Sequence, residues 1–435
     1  MSRMKLPNLI VCDTAGNAIE IPELRMAVSS NGRPRVPDEH SLVPLPASGV
    51  LFSMPLRTPA AYDPAGGKIV YVKEYRGEPV FAAAAFMPPG YIQTFSCACR
   101  KMPGAPRLPL YCYTAVGWMN DRFYAAGNRI DRQLRHEIPD ESLDRIDASG
   151  VRMVKRFPRN RLVEHLVNKC VLSYRCPNAC NLVLGRWECP IPVSRVCNAA
   201  CLGCISRQPK SSRVPSTQHR LDFVPTSLEI AEYVIPHLKS AANPIASFGQ
   251  GCEGEPLLQA ELIEESIMKI REGTKRGSIN LNTNASRPDV VERLCAVGLD
   301  SMRVSLNSAR RSYYHAYYRP RGYSFDDVVE SIVIAKRSKI WVSLNYLVFP
   351  GFTDSRPEFA ALKRLLKKTG IDMIQTRNLN IDPVWYSESL GLGRQRSDPI
   401  GMVNWIREIR EEFPEVRLGY FNPTAAMRRK KQIRL

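Results

Sequence analysis

The sequence predicts an α/β fold: a partial (β/α)6 barrel of TIM type, preceded by a β-rich or mixed N-terminal accessory domain. From about residue 190, short apolar runs alternate with segments of helical periodicity, which is typical of βαβ units around a parallel sheet. The first 110 residues instead hold 15 of the 34 prolines, and glycine-containing turns interrupt their apolar runs, which favours short strands and hairpins. In such a barrel, chemistry is expected at the C-terminal ends of the strands.

These patterns divide the 435-residue chain into four parts. They are the accessory domain at 1–165, a cysteine-rich segment at 166–190, the barrel at 190–422 and a basic tail at 423–435. No apolar run approaches the ~20 residues of a membrane helix. The first residues also lack the basic and apolar stretches of a secretory signal. We therefore expect a cytoplasmic protein without a membrane partner.

Local signals place the barrel elements. Thr226 and Glu229 form a capping box, Ser324 is expected to cap a later helix, and Gly298 is expected to end another. After a first strand near residue 190, strands are predicted at 245–248, 278–283, 302–306, 340–349, 371–376 and 416–421. Helices are predicted at 226–240, 257–271, 288–297, 324–336, 356–369 and 402–413.

The chain is strongly basic, with a formal net charge of +19. This charge either attracts an acidic partner, such as RNA or an acidic peptide, or forms a solvated surface. Four tyrosines, interspersed with arginines, follow the fourth strand: Tyr313, Tyr314, Tyr317 and Tyr318. They can stack nucleic-acid bases or line the inner face of a short helix.

Three cysteines lie in the loop expected after the first barrel strand. Cys197, Cys201 and Cys204 have C-x3-C-x2-C spacing. Three thiolates in one tight loop can bind three irons of a [4Fe–4S] cluster and leave the fourth iron open to a reactant. The alternative is a zinc site that takes its fourth ligand from Cys180 or Cys189.

Together with the segments that follow it, this motif resembles the radical S-adenosylmethionine (SAM) superfamily over residues 190–380. Segment 247–258 resembles the Gly-Gly-Glu-Pro element of that family, and 280–284 resembles its Thr-Asn-Gly element, with Ala285 in place of Gly. Segment 303–307 resembles its Val-Ser-Leu-Asp element, with Asn307 in place of Asp, and 345–354 resembles the turn after its fifth strand.

The resemblance implies that the three cysteines hold a [4Fe–4S] cluster whose open iron chelates SAM. An electron, supplied by a flavodoxin- or ferredoxin-like donor, would cleave SAM to methionine and a 5′-deoxyadenosyl radical that abstracts hydrogen from a peptide, protein or RNA. The residues expected to contact SAM are Gly254, Glu255, Pro256, Asn284, Arg303, Ser305 and Asn307. The alternative of another class is a non-catalytic, metal-stabilised nucleic-acid-binding protein on a degenerate barrel.

A second group of cysteines precedes the first: Cys170, Cys176, Cys180 and Cys189. Four thiolates within twenty residues can complete an all-cysteine site for an auxiliary iron–sulfur cluster or a structural zinc. The other interpretation is four scattered cysteines. Cys252 lies beside the expected SAM site and is either a reactive or a buried, inert thiol.

Overall fold

The computed structural model describes residues 6–133, 143–394 and 399–429. The predicted tail at 423–435 therefore lies partly outside the described residues. Among those residues, no helix is both long and apolar enough to cross a membrane.

The N-terminal part is built of antiparallel strands, in agreement with the β-rich prediction. The described residues up to 133 form β1 (Asn8–Cys12), β2 (Ala18–Met26), β3 (Val28–Ser30), β4 (Arg33–Arg35), β5 (Leu42–Pro44), β6 (Val50–Met54), β7 (Arg57–Asp63), β8 (Lys68–Tyr71), β9 (Glu74–Tyr75), β10 (Glu78–Pro79), β11 (Phe81–Phe86), β12 (Tyr91–Gln93), β13 (Ser96–Cys97), β14 (Cys99–Lys101), β15 (Val116–Met119) and β16 (Arg122–Arg129). Eleven of them share one sheet, in which β1 pairs with β2, β11 and β15. Alanines of β11 are fully buried there, which lets neighbouring layers pack closely.

A helical segment joins this sheet to the barrel. It consists of α1 (Leu143–Arg156), α2 (Arg161–His165), a π-helix (Leu166–Val171) and α3 (Pro177–Val183). Its apolar side chains belong to the same hydrophobic core as those of the barrel. The boundary predicted at residue 165 falls inside this segment, and the division of the chain into domains stays a prediction.

The remaining strands form one parallel sheet in chain order. They are β17 (Glu188–Ile191), β18 (Ile245–Phe248), β19 (Ser278–Thr283), β20 (Ser301–Leu306), β21 (Trp341–Val348), β22 (Met373–Asn378) and β23 (Arg417–Gly419). The helices are α4 (Ser227–Ser240), α5 (Ala260–Gly273), α6 (Pro288–Ala296), α7 (Arg311–Tyr318), α8 (Phe325–Arg337), α9 (Arg356–Thr369), α10 (Pro383–Leu390), α11 (Met402–Glu412) and α12 (Ala425–Arg429). This is the expected partial barrel.

The capping signals are confirmed. The Thr226 side chain accepts from the Glu229 N–H in a complete capping box. Ser324 forms the equivalent box with Asp327. Gly298, just past α6, adopts a left-handed φ of 112° that suits glycine at a helix end.

The N-terminal sheet docks on the C-terminal ends of β21 and β22. The Gln93 N–H donates to Asn378 Oδ1 at 2.7 Å, and Asn378 Nδ2 donates to the Tyr91 carbonyl at 2.9 Å. A buried ion pair between Arg57 and Asp382, 2.9 Å apart, adds a charged contact. Because reactions on such barrels occur at this edge, the accessory sheet lies beside the expected site.

Candidate active site

The cysteine loop follows β17 and opens into a cavity of about 430 Å³. The cavity is lined by the three thiols of Cys197, Cys201 and Cys204, by four arginines, and by Ala199, Ala200, Leu202, Gln208, Pro209 and Trp385. Three thiols around one cavity fit a [4Fe–4S] cluster, in which each thiolate binds a different iron. Burial raises the pKa of Cys197 to about 11, so metal binding must displace its proton.

The end of α7 holds one side of this loop through its backbone. The N–H groups of Ala200 and Leu202 donate to the carbonyls of Tyr318 and Tyr317, at 2.9 and 3.0 Å. The Arg321 N–H donates to the Asn198 carbonyl at 2.8 Å. These contacts fix the loop against the C-terminal end of α7 and the residues that follow it, independently of any bound group.

Segment 247–258, called the glycine-rich loop below, holds the other side of the cysteine loop. The Gly254 N–H donates to the Ser194 carbonyl and the Glu255 N–H donates to the Val196 carbonyl, both at 2.8 Å. The buried Glu253 carboxylate adds hydrogen bonds from the Val193 and Ser194 N–H groups, each 2.8 Å long. Glu253 was not predicted as a site residue, because its role depends on a contact with a residue sixty positions earlier in the chain.

We expect Gly254→Ala to lower the SAM cleavage that the resemblance implies by about 100-fold, because small displacements of reacting groups have effects of that size. An added Cβ would lie 1.8 Å from the Val196 carbonyl oxygen, so the backbone of the cysteine loop would have to move. Iron content and 5′-deoxyadenosine formation would be measured. Gly251→Ala is the matched control, since its Cβ would meet only side chains, chiefly Ile205. Equal losses in both variants would contradict this prediction.

Glu255 faces the next strand end. Its buried carboxylate accepts hydrogen bonds from the Thr283 hydroxyl, the Asn284 N–H (2.8 Å) and the Leu257 N–H (3.1 Å). Burial raises the pKa of Glu255 to about 7. Asn284 in turn donates from Nδ2 to Asn198 Oδ1 at 2.8 Å. Glu255 thus aligns Asn284 with the cysteine loop.

We expect Glu255→Gln to lower the free energy of unfolding by about 1–3 kcal/mol, the cost of leaving a buried donor unsatisfied. The three donors to Glu255 use both of its carboxylate oxygens. Glutamine has only one side-chain oxygen, so at least one of these donors would lose its acceptor. Urea unfolding would measure the change. Glu261→Gln, at a side chain 83% exposed on α5, should change stability by less than about 0.5 kcal/mol. An unchanged unfolding midpoint for Glu255→Gln would contradict the assigned role.

Ala285 occupies the position where the resemblance expects glycine. Its φ of 56° is left-handed, a conformation in which glycine is not strained. Hydrogen bonds hold this turn: its N–H donates to Thr283 Oγ1 at 2.9 Å, and Ser331 Oγ donates to its carbonyl at 2.8 Å. The backbone shape is therefore retained despite the substitution.

Arg303 and Ser305 lie on the interior face of β20, opposite the apolar side chains of this strand. Arg303 Nη1 lies 3.5 Å from Gln375 Oε1, and its Nε has no hydrogen-bond partner among the described residues. Burial, followed by the charge of Arg377, lowers the pKa of Arg303 to about 9. Ser305 is in register with Asn345, whose Oδ1 also has no partner in the described part of the chain. Unsatisfied interior groups fit a polar ligand in the barrel.

Asn307 and Pro256 are fully or almost fully buried. Asn307 Nδ2 donates to the Tyr313 carbonyl at 3.1 Å and to the Tyr386 hydroxyl at 3.3 Å. Its Oδ1 has no partner among the residues that the structure describes. Pro256 begins a 3-10 turn, Pro256–Gln259, at the entry to α5. Asn307 therefore fixes α7 and α10 at the strand end.

Four arginines of the cavity were not predicted as site residues: Arg207, Arg220, Arg319 and Arg321. Arg220 Nη2 lies 3.6 Å from Cys204 Sγ, and its Nε donates to Ser206 Oγ at 3.2 Å. Positive charge here favours thiolates and anionic reactants. The only sequence signal was the general excess of basic residues, which gives no position.

The tyrosine segment forms a buried helix face. Tyr314, Tyr317 and Tyr318 are at most 7% exposed, and the rings of Tyr314 and Tyr318 stack at 4.6 Å. Of the two interpretations, packing inside a short helix is confirmed for these three rings. They are not accessible for stacking on nucleic-acid bases.

The second cysteine group is arranged differently from the predicted set of four. Among the described residues, the ligand atoms of His165, Cys170 and Cys252 all lie within 4.8 Å of one another. Cys189 is fully buried in β17 and is not part of this group. Cys176 and Cys180 also lie outside it.

The sequence model of the radical SAM superfamily matches residues 191–362. No curated protein matches the chain. Among solved structures, native anSMEcpe with bound AdoMet is 15% identical, with 45% of this chain and 52% of that chain covered and a TM-score of 0.33. Methylornithine synthase (PylB) is 14% identical, with 66% of this chain and 73% of that chain covered and a TM-score of 0.37. Streptococcus suis SuiB bound to precursor peptide SuiA is 13% identical, with 56% of this chain and 53% of that chain covered and a TM-score of 0.39.

This chain thus spans about half the length of the first and third of these structures. Its matched region begins at the end of β17 and contains the cysteine loop and the C-terminal ends of β18, β19, β20 and β21. Residues 191–362 of this chain are thus similar in sequence to the radical SAM superfamily.

Proposed function

We propose that Cys197, Cys201 and Cys204 hold a [4Fe–4S] cluster at which SAM is cleaved reductively. The proposal rests on one observation: the three thiols line one cavity at the C-terminal edge of the parallel sheet, within the region 191–362 that matches the family. When bound, the cluster and SAM supply a 5′-deoxyadenosyl radical that abstracts a hydrogen atom from the substrate. The electron comes from a flavodoxin- or ferredoxin-like donor.

The chain's own residues orient SAM and exclude water. Gly254, Glu255 and Pro256 form the turn that holds the cysteine loop. Asn284 lies against that loop, where its side chain reaches Asn198. We assign Glu255 a positioning role, because its carboxylate already accepts three hydrogen bonds from the protein.

Further along the sheet, Arg303 and Ser305 offer polar groups inside the barrel. The buried guanidinium of Arg303 suits the SAM carboxylate, since a charge at such depth needs a counter-charge. Asn307 presents an oxygen without a partner among the described residues. These three side chains complete the proposed SAM contacts.

The substrate is proposed to be a peptide or protein, with RNA as the second candidate. An apolar groove of about 570 Å³ on the N-terminal sheet is lined by Val50, Phe52, Ser53, Pro55, Phe86, Leu108, Pro109, Tyr111 and Tyr113. Next to it, the guanidinium of Arg107 lies 4.6 Å from the ring centre of Trp385, which lines the cysteine cavity. Aromatic grooves beside a reactive site suit peptide side chains. The buried tyrosines remove the residue-level argument for RNA, and the net charge remains in its favour.

One isotope experiment tests both the chemistry and the substrate class. The reconstituted full chain is incubated with SAM and dithionite, plus deuterated total protein or deuterated total RNA. If deuterium appears in 5′-deoxyadenosine only in the mixture with deuterated protein, the result supports the proposal. If it appears only in the mixture with deuterated RNA, the result favours the second candidate. No 5′-deoxyadenosine in any mixture would contradict SAM cleavage itself.

A further inference from the structure

A histidine and two cysteines lie close together outside the cavity that Cys197, Cys201 and Cys204 line. The ligand atoms of His165, Cys170 and Cys252 lie within 4.8 Å of one another, and the two sulfurs are 3.9 Å apart. Cys170 is 3% exposed and Cys252 is 5% exposed. These residues come from two distant parts of the chain, the helical segment before the barrel and the loop after β18.

The π-helix explains how His165 and Cys170 meet. In an α-helix, residues five apart point about 140° away from each other around the axis. The segment Leu166–Val171 is instead a π-helix, whose wider turn brings residues five apart onto one face. Its hydrogen bonds show this spacing: the Leu172 N–H donates to the Val167 carbonyl at 2.9 Å. The rare turn therefore builds the histidine–cysteine pair, and π turns occur often at functional sites.

The distances suit one metal ion rather than a cluster. Tetrahedral zinc with Zn–S bonds of ~2.3 Å places its sulfur ligands about 3.8 Å apart. The observed Sγ–Sγ distance of 3.9 Å agrees with that value. The thiolates of a [4Fe–4S] cluster bind different irons and lie farther apart. In addition, the buried His165 Nε2 has no hydrogen-bond partner among the described residues, although buried polar atoms normally have one.

We propose that His165, Cys170 and Cys252 bind a structural zinc ion, whose fourth ligand comes from outside this group of three. Structural zinc sites are four-coordinate, and Cys3His is one of their usual ligand sets. The backbone of Cys176 contacts that of Cys170, since its N–H donates to the Cys170 carbonyl at 2.7 Å, and its thiol, which lies outside the group here, would turn toward the ion to complete this set.

This ion connects the helical segment to the loop that positions the radical site. Cys252 immediately precedes Glu253, whose carboxylate anchors the backbone before the cysteine loop. A second contact joins the same elements, from Asn178 Nδ2 of α3 to Gln250 Oε1 at 3.1 Å. The zinc thus stabilises the loop that contains Cys252 and Glu253, and this role does not depend on SAM cleavage.

The test uses the full chain carrying Cys197/Cys201/Cys204→Ala, so that iron at the proposed radical site does not interfere. We expect about one zinc and almost no iron per chain after anaerobic purification. Adding Cys252→Ser, or separately His165→Ala, should reduce the zinc to near zero. Cys189→Ala in the same background is the matched control, because Cys189 is equally buried but outside the group, and it should retain the zinc.

A second measurement covers the case in which a variant does not fold. Co²⁺ is added to the zinc-stripped Cys197/Cys201/Cys204→Ala protein, whose second site is intact. Tetrahedral d–d bands and thiolate-to-cobalt charge transfer are expected. Zinc that persists after Cys252→Ser, iron and sulfide in place of zinc, zinc loss with Cys189→Ala, or an octahedral cobalt spectrum would each overturn the proposal.

Discussion

Replacing Cys197, Cys201 and Cys204 together with alanine is expected to reduce 5′-deoxyadenosine formation to the background of a reaction without enzyme. The variant loses all three thiols of the cavity, and among the described residues no other cysteine lines it. Iron should fall by about four per chain, because a [4Fe–4S] cluster needs several thiolate ligands. Iron analysis, visible absorption and SAM cleavage under dithionite would be measured on the same anaerobic preparations.

Cys295→Ala is the matched control for this loss. Cys295 is a half-buried thiol on α6, outside the cysteine loop, and burial raises its pKa to about 11, as it does for Cys197. The control variant should keep the iron and the activity of the unmodified chain. A triple variant that still formed 5′-deoxyadenosine would show that the cluster is held elsewhere.

The barrel could be predicted from the sequence because its signals are local. The predicted strands 245–248 and 278–283 and the helix 356–369 agree with β18, β19 and α9 residue for residue. Capping residues, helical periodicity and short apolar runs all act within a few residues. The order of motifs at the strand ends then placed the cysteine loop and the glycine-rich loop at one edge.

The short helix α10 was not predicted, and α7 was only one of two interpretations of the tyrosine segment. They carry few periodic apolar positions, and tertiary contacts hold them. Asn307 ties α7 to α10 through the Tyr313 carbonyl and the Tyr386 hydroxyl. Arg220 was missed for a similar reason, since its contact with Cys204 spans sixteen residues of irregular chain. Local patterns contain no information about such contacts.

The second cysteine group is a clearer example of a long-range contact that local sequence patterns do not predict. Sequence proximity suggested that Cys189 would join Cys170, but Cys189 lies in β17 and outside the group that contains Cys170. The partner found in the structure, Cys252, is 82 residues away from Cys170. His165 was overlooked because it lies five positions before Cys170, a spacing that an ordinary α-helix would not bring together. A π turn has no sequence signal that we could use.

Asp382→Ala is expected to lower the free energy of unfolding by about 3–5 kcal/mol, because it leaves the Arg57 guanidinium buried without a counter-charge. Both side chains are 1% exposed, and the Arg57 Nη2 to Asp382 Oδ2 distance is 2.9 Å. The same carboxylate accepts from the Leu108 N–H at 3.0 Å and caps α10 by accepting from the Val384 N–H at 2.9 Å. One residue thus joins the N-terminal sheet to the barrel mouth. Urea unfolding would measure the loss.

Asp382→Asn distinguishes the contribution of the ion pair with Arg57 from that of the helix cap on α10. Asparagine is as good an N-cap as aspartate, so the helix contribution of about 1 kcal/mol is retained while the ion pair is lost. The asparagine variant should therefore be more stable than the alanine variant by about that amount, and less stable than the unmodified chain. Adding Arg57→Met removes the stranded charge and should recover most of the remaining loss. If Arg57→Met brought no recovery in the Asp382→Asn background, the cost would lie in repacking of the interface. The docking of the N-terminal sheet would then depend on its neutral hydrogen bonds at Gln93 and Asn378 rather than on this pair.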